Sequence, residues 1–463
     1  MIEGLKPYPE YKESGVPWLG RVPGHWGVLP NRALFAEVNE KNHPDEEMLS
    51  VTINRGVIRQ RTLLSDSSKK DGSRLDRSAY KLVLPGDIAY NKMRAWQGAI
   101  GVSRYRGIVS PAYVVVRVRG THLPAYFHQL FRLPSFAKEA ERWSYGIASD
   151  MWSLRPEHFK VIRSVAPPLD EQRAIVRFLD HATRRIDAYI RAKRKLIALL
   201  NEQKQAIIHR AVTRGLDPKV KMKDSGVPWL GQVPEHWGLV RLGALLRERG
   251  EMNDRREVEQ VLSVVKDIGV IPYEQKGNIG NKRSEDVSRY KIVRPDDIVL
   301  NSMNVIIGSV GLSRYTGCLS PVYYVLVRRS EEDDPRFLEA IFKCRPFQRS
   351  LVRLGNGILA HRMRIPMELL KCELLPKPPP AEQTAIVHYI KAETAMLDAA
   401  IAGTEREIAL LREYRTRLIA DVVTGQLDVR EAAKNLPDEL PDEPDLDDTM
   451  ETDAFDEDAP ESE

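Results

Sequence analysis

The chain has 463 residues, 42% of them hydrophobic and 29% charged, which is typical of a water-soluble protein of several domains. No apolar run approaches the roughly 18 residues of a transmembrane helix, and the N-terminus lacks the basic-then-apolar pattern of a secretory signal. The three cysteines form no CxxC pair, so neither a disulfide framework nor a metal site is predicted. We therefore expect a cytoplasmic protein.

Charge is distributed unevenly along the chain. The formal net charge is +5, but the segment from Pro437 onward carries 14 acidic residues and no basic one, which leaves 70 basic against 51 acidic residues in the rest. Such a basic body suits a polyanionic partner, because Lys and Arg contacts to phosphate dominate nucleic-acid affinity. A solvated basic surface is the alternative. The acidic, Pro-rich tail is predicted to be disordered, because it has few apolar residues to bury.

The chain begins with a globular part whose pattern is mixed α/β. The phrase SGVPWLGRVPGHWG begins at Ser14, and its Pro and Trp content predicts a scaffold in which Trp18 packs and His25 supports Trp26. Further along, PGDIAYN predicts a turn before a short strand, and AYVVVRVRG predicts a strand. The segment PAYFHQLFRLPSFAKEAERW predicts short helices that are interrupted by proline.

These features return about 211 residues later. SGVPWLGQVPEHWG begins at Ser225, the block that begins with YKLVLPGDIAYN at Tyr80 returns from Tyr290, and PPLDEQRAIVRFLD at Pro167 returns as PPPAEQTAIVHYIK at Pro378. The chain is therefore two copies of one unit. We expect both halves to share a fold and to be related by a pseudo-two-fold axis.

A long helix is predicted after each globular part. Residues 171–212 and 382–423 contain no Pro and only one Gly, and each predicts a helix of about 60 Å at about 1.5 Å per residue. Apolar residues at heptad spacing predict that the two helices pair as a coiled coil, the alternative being a stripe that packs on the globular part. Lys193 and Thr404 are equivalent polar positions near the helix midpoints, and in an antiparallel pair they should lie near one another. The predicted seam consists of Leu179, Ile186, Ile190, Lys193, Ile197, Leu200, Ile207, Ile390, Leu397, Ile401, Thr404, Ile408, Leu411 and Leu418.

The predicted fold class is mixed α/β (α+β), with two tandem globular domains in pseudo-two-fold symmetry and two long α-helices in an antiparallel coiled coil. The predicted division is 1–166 for the first globular domain, 167–214 for the first helix, 215–377 for the second globular domain, 378–425 for the second helix and 426–463 for a C-terminal segment with the acidic tail.

No catalytic motif was found in the sequence. The P-loop, GxGxxG, HExxH and GxSxG patterns are missing, and the histidines are scattered. APPL and KPPP lack the polar and aromatic residues of the tetrapeptide that holds a target amine in amino-methyltransferases, so these prolines are predicted to precede the helices instead. A nuclease or methyltransferase with a divergent site stays open as an alternative.

Three pairs of phrases carry a resemblance over residues 1–430: SGVPWLGRVPGHW with SGVPWLGQVPEHW, GDIAYNKMRAWQGAIG with its repeat, and PPLDEQRAIVRFLD with PPPAEQTAIVHYI. This ordered set resembles the specificity subunit of type I restriction–modification enzymes. The resemblance implies that each globular part is a target-recognition domain for one half of a bipartite, asymmetric double-stranded DNA sequence. It also implies that the helices set the half-site spacing and dock two methyltransferase subunits, and that restriction subunits join the complex.

The same resemblance implies that this chain is not itself an enzyme and holds no cofactor. The complex would use S-adenosylmethionine, ATP and Mg²⁺, and adenine N6 methylation would belong to the partner subunit. It would act as a site-specific deoxyribonuclease and adenine-N6 DNA methyltransferase, with no membrane partner.

Candidate DNA-contacting residues come from three pairs of segments. One pair consists of basic, Gly-containing loops at matching places in the repeat, for which phosphate or base contacts are expected. The other two pairs are divergent segments whose polar side chains could recognise base edges. In each pair, a loop that only shapes the fold is the alternative. The candidates are Lys69, Lys70 and Arg74 against Lys276, Lys282 and Arg283, then Lys92, Arg94 and Gln97 against Asn301 and Asn304, and finally Ser149 and Asp150 against His361 and Arg362.

Two further functions remain open besides a divergent enzyme. The chain could be a solitary DNA-binding specificity protein that modulates another complex, which tight specific binding by the isolated chain would favour. It could also be a coiled-coil scaffold without a DNA role, which would fail to bind DNA even with its partner present.

Overall fold

The computed structural model describes residues 5–53, 55–64, 77–146, 152–266, 268–277, 283–284, 286–355 and 364–437. These residues form two compact units. Unit 1 takes residues up to 192 together with those from 406 onward, and unit 2 takes residues 193–405. Each unit therefore combines one globular part with the first half of the helix that follows it and the second half of the other helix.

Unit 1 is built from short antiparallel strands and short helices around its half-helices. Its strands are β1 (Tyr11–Glu13), β2 (Arg21–Pro23), β3 (Gly27–Pro30), β4 (Phe35–Val38), β5 (Leu49–Thr52), β6 (Gly56–Arg59), β7 (Lys81–Val83), β8 (Ile88–Asn91), β9 (Ile100–Val102), β10 (Gly107–Val109), β11 (Tyr113–Val118) and β12 (Arg163–Ala166). Its helices are α1 (Asn31–Leu34), α2 (Gln60–Leu64), α3 (Pro124–Phe131), α4 (Pro134–Arg142), α5 (Pro156–Val161) and the start of α6 (Leu169–Arg214).

Unit 2 repeats most of this order. Its strands are β13 (Met222–Asp224), β14 (Gln232–Pro234), β15 (Gly238–Arg241), β16 (Leu246–Glu248), β17 (Leu262–Val265), β18 (Gly269–Pro272), β19 (Lys291–Val293), β20 (Ile298–Asn301), β21 (Val310–Leu312), β22 (Gly317–Leu319), β23 (Tyr323–Arg328) and β24 (Leu374–Lys377). Its helices are α7 (Leu242–Leu245), α8 (Pro335–Lys343), α9 (Arg345–Ser350), α10 (Met367–Leu370) and the start of α11 (Pro380–Val423), while α12 (Arg430–Lys434) belongs to unit 1.

The two globular parts share one sheet topology. The four-stranded sheet of unit 1 has the order β4-β11-β8-β9, and that of unit 2 has the equivalent order β16-β23-β20-β21, with antiparallel pairing throughout. The prediction of two copies of one mixed α/β unit is thereby confirmed. The two long helices, predicted over 167–214 and 378–425, are present as α6 and α11.

Aromatic side chains fill equivalent places in both cores. Phe131 and Phe136 pack with ring centroids 4.6 Å apart in unit 1, and Phe342 and Phe347 pack at 5.6 Å in unit 2. Because each of these side chains is nearly inaccessible to solvent, this cluster stabilises the sheet against the short helices by the burial of apolar surface. The repeated sequence PGD/PDD also has one structural role, since Asp87 and Asp297 are buried and each is bound by an arginine.

One buried contact differs chemically between the units. His128 Nδ1 on α3 accepts the N–H of Val102 at 3.1 Å, and Glu339 on α8 accepts the N–H of Leu312 at 2.9 Å. Burial lowers the pKa of His128 to about 3, and repulsion from Arg132 adds to this effect. The two units thus use a neutral and an acidic acceptor at one position.

Unit 1 is expected to lose stability as the pH falls below about 6.5. An unfolded His takes up a proton near pH 6.5, whereas folded His128 resists protonation until about pH 3, so the loss at pH 5 is about 2 kcal/mol. Urea unfolding of the wild type and of His128→Gln at pH 7.5 and pH 5.0 measures this loss of unfolding free energy. Gln keeps an acceptor but does not titrate, so the variant should lose less stability between the two pH values. An equal loss in both proteins contradicts the prediction.

Candidate nucleic-acid interface

The His-Trp pair of the repeated phrase binds the start of each long helix. In unit 1, His25 Nε2 lies 2.6 Å from Glu171 Oε1, and Trp26 Nε1 donates to Glu171 Oε2 at 2.9 Å. In unit 2 the corresponding contacts are made to Glu382, at 2.6 Å from His236 and 2.8 Å from Trp237. The supporting role predicted for the histidines is confirmed. We call this arrangement the His-Trp-Glu clamp, and it fixes each globular part to a helix start.

The clamp of unit 1 is more enclosed than that of unit 2. The Tyr8 hydroxyl also donates to Glu171 Oε2 at 2.9 Å, and the Arg430 guanidinium lies 3.7 Å from Glu171 Oε1. The Glu171 side chain is 5% exposed, against 41% for Glu382. Burial, followed by the adjacent Glu171 carboxylate, raises the pKa of Tyr8 far above its usual range, so this hydroxyl stays a donor.

The glutamine that follows each clamp carboxylate holds the proline turn. Gln172 Nε2 donates to Pro167 O at 2.8 Å, and Gln383 Nε2 donates to Pro378 O at 3.0 Å. The motif PPxxEQ therefore makes two contacts: its Glu binds the His-Trp pair, and its Gln binds the proline turn before the helix. These roles could not be predicted from local sequence, although the repetition of the motif was a signal that it matters.

The first tryptophan of each phrase packs, as predicted. The Trp18 ring meets Phe136 at 5.4 Å between centroids, and the Trp229 ring meets Phe347 at 5.0 Å. These contacts join each phrase to the aromatic cluster of its unit and leave both rings unsuited to stacking on bases.

The divergent segments NKMRAWQG and NSMNVIIG have the same backbone. Each forms a turn and a short 3₁₀ helix, Ala95–Gln97 in unit 1 and Val305–Ile307 in unit 2, which ends at a glycine with φ of 96° or 95°. Arg94 and Asn304 occupy the same position before the helix, with φ of −126° and −125°. One turn frame thus presents different side chains in the two units.

The corner around this turn is more basic in unit 1. Burial lowers the pKa of Lys81, and the nearby charges of Lys92 and Lys41 lower it further, while Glu37 opposes them. In unit 2 the equivalent Lys291 forms an ion pair of 2.9 Å with Glu248. The positions of Lys92 and Arg94 are taken by Ser302 and Asn304 in unit 2, which removes two positive charges. The two corners therefore present different electrostatic surfaces on one frame.

The remaining predicted DNA-contacting residues are placed as follows. Gln97 is exposed, Asn301 Oδ1 accepts the Met303 N–H at 3.0 Å and so shapes the turn, and Arg283 donates its N–H to the Tyr273 hydroxyl at 2.9 Å. Lys276 is 7% exposed, with its ammonium group 4.3 Å from the centre of the Tyr273 ring. Eight predicted residues lie outside the described residues: Lys69, Lys70, Arg74, Ser149, Asp150, Lys282, His361 and Arg362.

The chain was compared with known proteins and solved structures. No family model matches it, and no curated protein does. A chain in a structure of complex assembly and conformational transition of the type I R-M system matches with a TM-score of 0.59 and 15% identity, over 87% of this chain and 98% of that chain. The HsdS subunit from Thermoanaerobacter tengcongensis matches with a TM-score of 0.41 and 16% identity, over 88% and 98%. The S subunit of the type I restriction–modification system from M. genitalium matches with a TM-score of 0.33 and 12% identity, over 86% of this chain and 96% of that chain.

The chain shares the fold of the first of these chains. The superposition spans most of both chains with a TM-score above 0.5. The fold implied by the repeated phrases is thereby confirmed.

The two long helices contact each other within each unit, and in unit 1 they run antiparallel. In unit 1, Arg177 near the start of α6 contacts Leu436 beyond the end of α11, and Asp187 further along α6 binds Arg415 at 2.6 Å. Moving forward along α6 therefore means moving backward along α11. In unit 2, Lys204 and Asp398 form an ion pair of 2.5 Å.

The predicted seam residues differ in burial. In unit 1, Leu179, Ile186, Ile190, Ile408 and Leu418 are buried, and Leu411 is half-buried. In unit 2, Thr404 is buried and donates to Ala400 O at 2.8 Å, while Lys193, Ile197, Leu200, Ile207, Ile390, Leu397 and Ile401 are half-buried. The proximity of Lys193 and Thr404 stays a prediction.

Each unit also exposes large apolar side chains on its half-helices. In unit 2, Leu199 is 53% and Met396 is 82% exposed, and in unit 1, Leu410 is 63% exposed. Leu199 and Leu410 are equivalent positions of the repeat.

Neither a candidate membrane-spanning helix nor a candidate metal site is found in the described part of the chain. None of its helices is long and apolar enough to cross a membrane. No group of three or more metal-ligating side chains occurs among the same residues.

Proposed function

We propose that this chain is the DNA-specificity subunit of a type I restriction–modification complex. The observation that carries the proposal is the pair of units that share one turn frame but differ in side chains at that turn. Recognition of two unequal half-sites requires different base-contacting groups, and a common scaffold can present a different set in each unit. In unit 1, Lys92 and Arg94 would supply positive charge to DNA, and in unit 2 Asn304 would take the equivalent place.

The long helices have two roles in this proposal. They hold the two recognition units and so set the half-site spacing, which is a geometric determinant of a bipartite target. Their exposed apolar residues dock two methyltransferase subunits, one at each of the faces marked by Leu199 and Leu410. Restriction subunits complete the complex in the cytoplasm.

The chemistry of the complex belongs to the partners. This chain supplies binding and orientation, and it positions the target adenine for the methyltransferase subunit. S-adenosylmethionine, ATP and Mg²⁺ are cofactors of the complex, and none is assigned to a residue of this chain.

The test is co-expression with the methyltransferase subunit, followed by sequencing of host DNA for N6-methyladenine. A bipartite methylated motif is expected, and replacing residues 215–377 by the globular part of another specificity subunit should change one half of it. Complex formation without a motif would favour a scaffold. Tight specific DNA binding by the isolated chain would favour a solitary specificity protein, and methylation or cleavage by the isolated chain would favour an enzyme.

A further inference from the structure

Unit 2 contains a cavity lined by the segment around Ile365, which contacts Ser302 in the turn that carries Asn304. Its volume is about 360 Å³, and Tyr324, Arg364, Pro366 and Met367 line it. Tyr324 lies on β23, and Met367 begins α10. The cavity therefore combines apolar walls with one guanidinium group.

The backbone at the cavity is held firmly. The Ile365 N–H donates to Ser302 O at 2.9 Å, and the Ile365 carbonyl accepts from the Tyr324 hydroxyl at 3.0 Å. Both polar backbone groups of Ile365 are therefore satisfied, and its side chain is fully buried. Arg364, the residue before it, is exposed.

Unit 1 has the same backbone contact without this set of lining residues. The Leu154 N–H donates to Lys92 O at 2.9 Å, so Leu154 corresponds to Ile365 and Ser153 corresponds to Arg364. The sheet position of Tyr324 is occupied by Val114, which is paired with Tyr90, whereas Tyr324 is paired with Leu300. The tyrosine has changed strands between the units, and the hydroxyl that pins Ile365 comes from β23.

The cation at this corner also changes position between the units. In unit 1 it comes from the turn, as Lys92 and Arg94, and in unit 2 the turn has Ser302 and Asn304 instead. In unit 2 a cation comes from the facing segment, as Arg364, for whose side chain no hydrogen bond or ion pair is found among the described residues. Both corners therefore carry positive charge, and in unit 1 the facing segment adds the exposed Arg155 to the two cations of the turn.

We infer that this cavity is the base-recognition subsite of unit 2, and that Arg364 recognises a guanine at its mouth. This inference rests on the proposed DNA-specificity function. An Arg guanidinium can donate two hydrogen bonds to guanine O6 and N7, and apolar side chains contact the methyl group of thymine. Met367 and Pro366 offer such an apolar wall, so the ligand is the major-groove edge of a G·C pair followed by a T·A pair.

The experiment uses the co-expressed complex and three variants of this chain. In Arg364→Ala, the guanine requirement at one position of one half-site should relax by about tenfold or more, because a bidentate contact is lost. Arg364→Lys keeps the charge but not the two-point geometry, so it should relax the same position. Arg247→Ala removes an exposed cation on β16 of the same unit and should leave the motif unchanged.

The outcomes separate the inference from the function. If the wild type yields a bipartite motif and both Arg364 variants keep it unchanged, the subsite is refuted while the proposed function stands. The subsite is also refuted if the variants lower methylation equally at all sequences, since Arg364 would then contact only phosphate. If the wild-type complex yields no motif, the proposed function fails first.

Discussion

Glu171→Ala is expected to destabilise unit 1 by about 3–5 kcal/mol, because it leaves buried donors from Tyr8 and Trp26 without an acceptor and removes the contact of His25. The equivalent change Glu382→Ala should cost unit 2 only about 1–2 kcal/mol, since Glu382 is half-exposed and water can replace it. Hydrogen exchange of the peptides around Trp26 and Trp237 measures each unit separately.

The repeat supplies the control for this prediction, because the two variants change the same motif position. Glu171→Gln keeps an acceptor oxygen of similar size and should recover part of the lost stability. Equal destabilisation by the two alanine variants would show that the extra contacts of Glu171 with Tyr8 and Arg430 contribute nothing measurable.

Leu199→Glu combined with Leu410→Glu is expected to abolish binding of the methyltransferase subunit. Both side chains are more than half exposed, so the substitutions should leave the chain folded. In a protein interface each substitution would bury one uncompensated carboxylate at a cost of about 3 kcal/mol or more, which lowers the affinity of that site by about a hundredfold or more. Leu199→Glu alone should leave one methyltransferase copy bound.

Co-purification and the mass of the complex measure this effect. Thr384→Glu is the control for the single change Leu199→Glu, because it adds the same one negative charge at an exposed position of α11 near its start. Undiminished binding by the double variant would place the docking face elsewhere, and equal loss in the control would point to charge alone.

The repeat and the long helices could be predicted from local sequence. Residues 171–212 and 382–423 lack proline and keep an apolar period, and both properties act within a few residues, so α6 and α11 were found with nearly correct bounds. Trp18 and Trp229 were predicted to pack for the same reason, since apolar residues in a repeated phrase require one environment in both copies.

The candidate site was harder to predict, because its contacts join residues far apart in the sequence. Glu171 lies 145 residues from Trp26, and no local pattern states that a carboxylate and an indole will meet. Arg364 could not be predicted from local sequence either, since its segment comes next to the turn around Ser302 only through the hydrogen bond of Ile365 with Ser302. Lys276, predicted at the surface, is buried against Tyr273.

The sequence by itself determined that the protein consists of two copies of one mixed α/β unit with a long helix after each, because repetition and periodicity are properties of the chain. Only the tertiary structure decided that each compact unit contains half of α6 and half of α11. It also decided which residues Glu171, Lys92 and Arg364 contact. Such contacts depend on the free energy of closing long loops and burying surfaces together, which no short segment of sequence contains.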